Sequence, residues 1–134
     1  MDTFLSGVGF GVIAVLTLDT VGSILSVRRG FPYKKLTFIS FHIWVAAAML
    51  ASRGAGSDLP KAIGVGLLAG FVVGLTDSTI GWWISWRLGA GRLMPGSVTA
   101  QTAIRIIFGV AIFASAGGGI GGLLEVVFRR LITQ

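Results

Sequence analysis

Four stretches of this chain are nearly free of charge and long enough to cross a lipid bilayer: residues 4–27, 36–52, 62–86 and 97–116. A hydrocarbon core about 30 Å thick takes roughly 20 apolar residues in helical form. The second stretch is at the short limit for spanning, and the third is long enough to tilt. Together with their loops they use up almost all of the 134 positions, so a soluble catalytic domain has no room. Composition agrees. Only 12% of residues are charged and 54% are hydrophobic, whereas a soluble domain carries about 25% charge. A disordered chain needs the opposite bias, few apolar residues and much charge.

The expected fold class is therefore all-α: a single integral membrane domain of four transmembrane helices, arranged as two tandem helical hairpins. The first run follows Met1-Asp2-Thr3 without a basic segment and is longer than a signal-peptide core, which reads as a retained helix. Gly30-Phe31-Pro32 marks a turn after it, and Pro60 suits the first turn of the third helix. Five glycines between 117 and 122 read as a hinge. Beyond it, residues 123–133 form an amphipathic segment, with Leu123, Leu124, Val127 and Leu131 on one face and Glu125, Arg129 and Arg130 mostly opposite. That pattern suits a short helix lying in the headgroup plane; the alternative is one long, kinked fourth span.

An offset of 59 residues brings the first and third spans into register without a gap. Gly7, Gly11, Leu16, Thr17, Thr20, Gly22, Ser26, Arg28 and Gly30 meet their identical counterparts, nine matches over positions 7 to 30. The expectation is a duplicated hairpin, residues 4–56 and 60–116, with the halves related by an axis along the membrane normal. Gly7 and Gly11, and Gly66, Gly70 and Gly74, recur every four residues and so line one helix face. Such stripes serve close helix packing. The simplest arrangement puts the first and third spans in contact at the centre.

Charge inside the spans is confined to one level. Asp19 lies roughly 13 Å, Asp77 about 15 Å and Arg105 about 12 Å from the same side, counted at 1.5 Å per residue. Each costs roughly 2.5–3.5 kcal/mol at a helix centre, so the three are expected to meet or to line a wet cavity. Thr17 and Thr20, Thr76 and Ser78 surround the carboxylates in sequence. Gln101 sits one turn from Arg105, and His42 is its repeat equivalent. These nine residues are the candidate ion- or substrate-binding set. One reading makes them a buried ionic glue, in which Arg105 neutralises the aspartates and the hydroxyls bond to the preceding turn. The other makes an aspartate bind a cation or exchange a proton, with Arg105 as gate or counter-ion.

No enzyme activity, catalytic residue, metal or cofactor is expected. Two aspartates without a longer signature do not make a catalytic motif. The absence of cysteine excludes thiolate sites and disulfides, and the single histidine, His42, cannot supply paired haem ligands. Trp82, Trp83 and Trp86 read as an interfacial aromatic belt, and Trp44 as a packing residue.

The net charge of +6 sits at span ends, where headgroups account for it, and no basic patch follows a phosphate backbone, so nucleic acid is not an expected partner. The loops after the first and third spans hold Arg28, Arg29, Lys34, Lys35, Arg87 and Arg92, six basic residues. The other side holds Arg53, Lys61, Arg129 and Arg130, four. That balance puts both termini on the non-cytoplasmic side of a bacterial-type inner membrane, by a margin that dual topology also satisfies.

Expected partners are membrane lipids and either further copies of the chain or unlike subunits of a membrane complex. The leading functional expectation is a small transporter or channel for an ion or solute. The alternative is a non-catalytic structural or assembly subunit.

Overall fold

The computed structural model describes residues 2–90 and 99–133. Among these the chain is helical throughout, without strands. Helix α1 covers Asp2–Arg29. A 3₁₀ turn, Tyr33–Leu36, runs into α2, Thr37–Ser52, and a second 3₁₀ turn, Arg53–Ala55, prolongs it. Helix α3, Leu59–Thr76, continues through a π turn, Asp77–Gly81, into α4, Trp82–Arg87. Helix α5 covers Ala100–Ile132. These make four helical rods long and apolar enough to cross a membrane. The flanking 3₁₀ turns lift the short second rod to 23 residues. Residues 91–98, with Arg92 and the expected start of the fourth span at Ser97, lie outside the described residues.

Local chemistry sets the rod ends. Gly30 adopts φ +67, a left-handed conformation that side-chain-bearing residues avoid, and its N–H donates to the Ser26 carbonyl at 2.9 Å. The chain then reverses, and the Ser26 hydroxyl donates to the Phe31 carbonyl at 2.6 Å. Asp58 caps α3 by accepting from the Lys61 N–H at 3.1 Å, with Pro60 in the first turn. Thr99 caps α5 by accepting from the Thr102 N–H at 3.2 Å.

Rods two and three occupy the middle of the bundle and touch all the others, while α1 and α5 lie on opposite sides. The most extensive contact joins α3 to α5. There a Cβ added at Gly66 would run into the Gly118 carbonyl oxygen, and one at Gly118 into the Gly66 carbonyl. Gly70 faces the Ala114 carbonyl, Gly74 the Ala114 methyl and Gly122 the Ala62 carbonyl. Gly7 faces the backbone of Ala47 and Ala51 on α2, and Gly11 meets Ala47 and Val73. The glycines of the first and third spans thus turn mainly toward their own hairpin partners rather than toward each other. Lipid offers no hydrophobic drive between helices, and close backbone approach gains dispersion instead.

The expected hinge is not present: residues 117–122 are continuous helix within α5. Two neighbours explain the glycine density. Gly118 and Gly122 meet α3, whereas Gly117 meets Phe41 and Gly121 the Val45 carbonyl on α2. A helix lodged between two others needs small residues on two adjacent faces, and packing replaces the stability that glycine loses in water.

The expected amphipathic segment is the last part of α5 rather than a separate helix, and its polar residues divide between inside and outside. Glu125 and Val126 are buried, while Leu123, Val127 and Leu131 face outward. Outward apolar groups suit lipid; Glu125 alone of the three charged residues turns inward, where Arg129 satisfies it. Glu125 Oε1 accepts from Arg129 Nε at 3.0 Å, and Arg129 Nη2 donates to the Arg53 carbonyl at 2.8 Å, tying α5 to the end of the second rod. Glu125→Ala removes one of Arg129's two partners and leaves only its bond to the Arg53 carbonyl. Because Arg129 is partly exposed, the expected loss is modest, about 1–2 kcal/mol of stability. Thermal unfolding in detergent reads it, and a midpoint equal to the parent's would show that this tie holds nothing together.

Candidate functional site

The turn at Gly30 folds Tyr33 back under the end of α1. There its hydroxyl donates to Asp19 Oδ1. Asp19 is only 2% exposed, and its other oxygen, Oδ2, is buried without a hydrogen-bond partner among the described residues. That oxygen lies against Gly81, where any side chain would collide with it. A Cβ at Gly81 would stand 2.8 Å from Asp19 Cγ and 3.3 Å from Asp77 Oδ1. The two carboxylates, one from each expected hairpin, therefore converge on the same point beside a glycine.

Asp77 opens the π turn. A π turn inserts one residue and rotates everything after it relative to the rod before it; such turns recur at functional sites. The carbonyls it disturbs are satisfied by side chains: Ser78 Oγ donates to the Gly74 carbonyl at 2.8 Å, and Thr79 Oγ1 to the Leu75 carbonyl at 2.6 Å. Ser78 Oγ also lies 3.3 Å from the Ile107 carbonyl of α5. Asp77 itself is half-buried, so the pair has one shielded member and one reachable member.

Around the pair lies a cavity of about 130 Å³. Ser40 and Trp44 of α2 reach toward Asp77, with Trp44 Nε1 stopping short of a hydrogen bond. Trp82 forms another wall, Ile106 and Val110 of α5 a further one, and the cavity is open on its remaining side. Among the described residues, neither Lys nor Arg lines this cavity. Two carboxylates so close in a low-dielectric interior repel, and a shared proton or a cation between them relieves that repulsion.

The nine expected site residues separate into groups. Asp19, Asp77 and Ser78 are brought together. Thr17, Thr20 and Thr76 bond to the carbonyls of Ile13, Leu16 and Val72 at 2.8, 2.8 and 3.0 Å, and line no part of the cavity. His42 is exposed; its Nδ1 lies 2.7 Å from the Phe38 carbonyl, and Phe38 packs edge-on against the ring. Gln101 and Arg105 are exposed on α5 and stand apart from the aspartates. The depth assigned to Arg105 assumed a span starting at Ser97. From Ala100 it is only about 7–8 Å into the helix, shallow enough for a long side chain to extend to the headgroups.

Four participants had no role at the site in the sequence reading. Tyr33 is the single tyrosine and follows a turn at the Asp19 end of the first span, which is the signal that could have found it. Trp44 reads as packing and is indeed 1% exposed, yet it also walls the cavity. Trp82 leaves the aromatic belt for the interior, while Trp83 and Trp86 stay outside and Arg87 lies 5.3 Å from the Trp83 ring centre. Gly81 resembles any other helix glycine in sequence.

Compared with protein-family models, curated proteins and solved structures, the chain matches none of them.

Proposed function

We propose that this protein is a small membrane transporter or channel that passes a cation by way of the Asp19/Asp77 pair. The observation that carries the reading is the convergence of two carboxylates, from helices far apart in sequence, in a cavity that no Lys or Arg among the described residues lines. Ion pathways through membrane proteins are marked by intramembrane ionisable groups of this kind. The 59-residue offset supports it further, since it puts Asp19 and Asp77 within one position of equivalence, each half contributing one carboxylate. With both termini on the non-cytoplasmic side, the pair lies nearer the cytoplasmic face of the membrane. An assembly of like copies belongs to the same reading.

Gly81→Ala tests the geometry without removing a charge. The added methyl drives Asp19 Oδ2 from its place beside Asp77. In reconstituted liposomes, cation flux is expected to fall severalfold. Ile80→Ala, at an outward-facing neighbour, is expected to leave it unchanged. No flux from the parent protein, or equal flux from all three, overturns the reading.

A further inference from the structure

We propose that the cavity takes a small organic cation bearing N–H donors, a primary alkylammonium or a guanidinium, in preference to a bare alkali-metal ion. This rests on the transport reading and names its cargo.

Asp19 Oδ2 is a deeply buried acceptor without a donor among the described residues, and Asp19 lines the cavity together with Asp77. Leaving such an oxygen unpaired is costly, and an N–H that also brings positive charge is the strongest partner it can have. Ser40 adds a further polar contact on the Asp77 side.

The remaining walls choose between kinds of cation. Trp44 and Trp82 present indole rings, with alkyl side chains around them. Their apolar bodies accommodate the carbon of an organic cation. Metal ions instead require a shell of ligating atoms. Among the described residues no three His, Cys, Asp or Glu side chains gather as a transition-metal or multivalent-ion site would need. Size fits a small cargo: the space of about 130 Å³ is of the order of the ~150 Å³ cavities that admit benzene.

The test is a titration of the intact, detergent-solubilised protein with methylammonium, guanidinium, tetramethylammonium and sodium chlorides at constant ionic strength. Calorimetry and tryptophan fluorescence read the binding. Methylammonium or guanidinium is expected to bind saturably and at least tenfold more tightly than sodium or tetramethylammonium, which has no N–H. Asp77→Asn is expected to weaken that binding at least tenfold, and Trp44→Phe severalfold. Should either variant fail to fold, the order of the four cations on the parent protein decides. Sodium binding as well as the N–H cations, tetramethylammonium binding equally, or no binding at all overturns the proposal.

Flux in liposomes separates this from the reading beneath it. Sodium flux without organic-cation binding removes the cargo assignment and leaves transport standing. Organic-cation binding with no flux of any of the four ions removes transport and leaves the ligand site.

Discussion

Gly118→Leu is expected to prevent the fourth rod from seating on the third. The added side chain enters the space held by the Gly66 carbonyl oxygen, and Gly70 Cα closes the other side. Both neighbours are backbone, so no side chain can swing away to make room. Overpacking of an ordinary core costs about 1–3 kcal/mol and occasionally more. A backbone-to-backbone obstruction at the bundle's most extensive contact belongs at or beyond the upper end. Little monodisperse protein is expected in mild detergent, and what survives should melt well below the parent.

Gly64→Leu and Gly109→Leu provide the comparison. A Cβ at either position meets nothing within 4 Å. In lipid, such outward-facing leucines are at home, so both variants are expected to melt with the parent. Equal melting of all three variants would mean that α3 and α5 do not approach through these glycines.

Asp77→Asn and Asp19→Asn are each expected to reduce cation flux in liposomes to background, a loss of a hundredfold or more. Removing one partner from a buried charge pair costs about 3–5 kcal/mol, and each 1.4 kcal/mol is roughly a factor of ten in affinity. The cation held between the carboxylates would lose that partner. Shape is almost unchanged by either substitution, and an amide oxygen at position 19 can still accept from Tyr33, so folding is expected to persist. Asp58→Asn supplies the control, because Asp58 is an exposed helix cap remote from the cavity. Unaltered flux in both intramembrane variants would detach transport from the carboxylate pair.

Much of the architecture was legible in the chain itself. Apolar runs of spanning length marked all four rods, because run length answers directly to bilayer thickness. The turn at Gly30 and the start near Pro60 were readable from residues whose backbone chemistry leaves few options. Depth was readable as well: counting along a helix put Asp19 and Asp77 at one level. Rotation and neighbours were not. Hydropathy distinguishes lipid from water but not lipid from protein interior, since both are apolar. That is why Glu125 could be grouped with Arg129 and Arg130 yet is buried while they are exposed, and why the glycines at 117–122 resembled a break although α2 and α3 pack against them.

The sequence alone determined how many helices are long and apolar enough to cross a bilayer and that the two carboxylates stand level along their helices, because both follow from helical rise. Only the tertiary structure decided which side chains share a cavity. It brought Tyr33, Trp44 and Gly81 to the aspartates and left Arg105 outside. Azimuth around a helix depends on the helices packed beside it, and on a π turn whose single extra residue no spacing rule records.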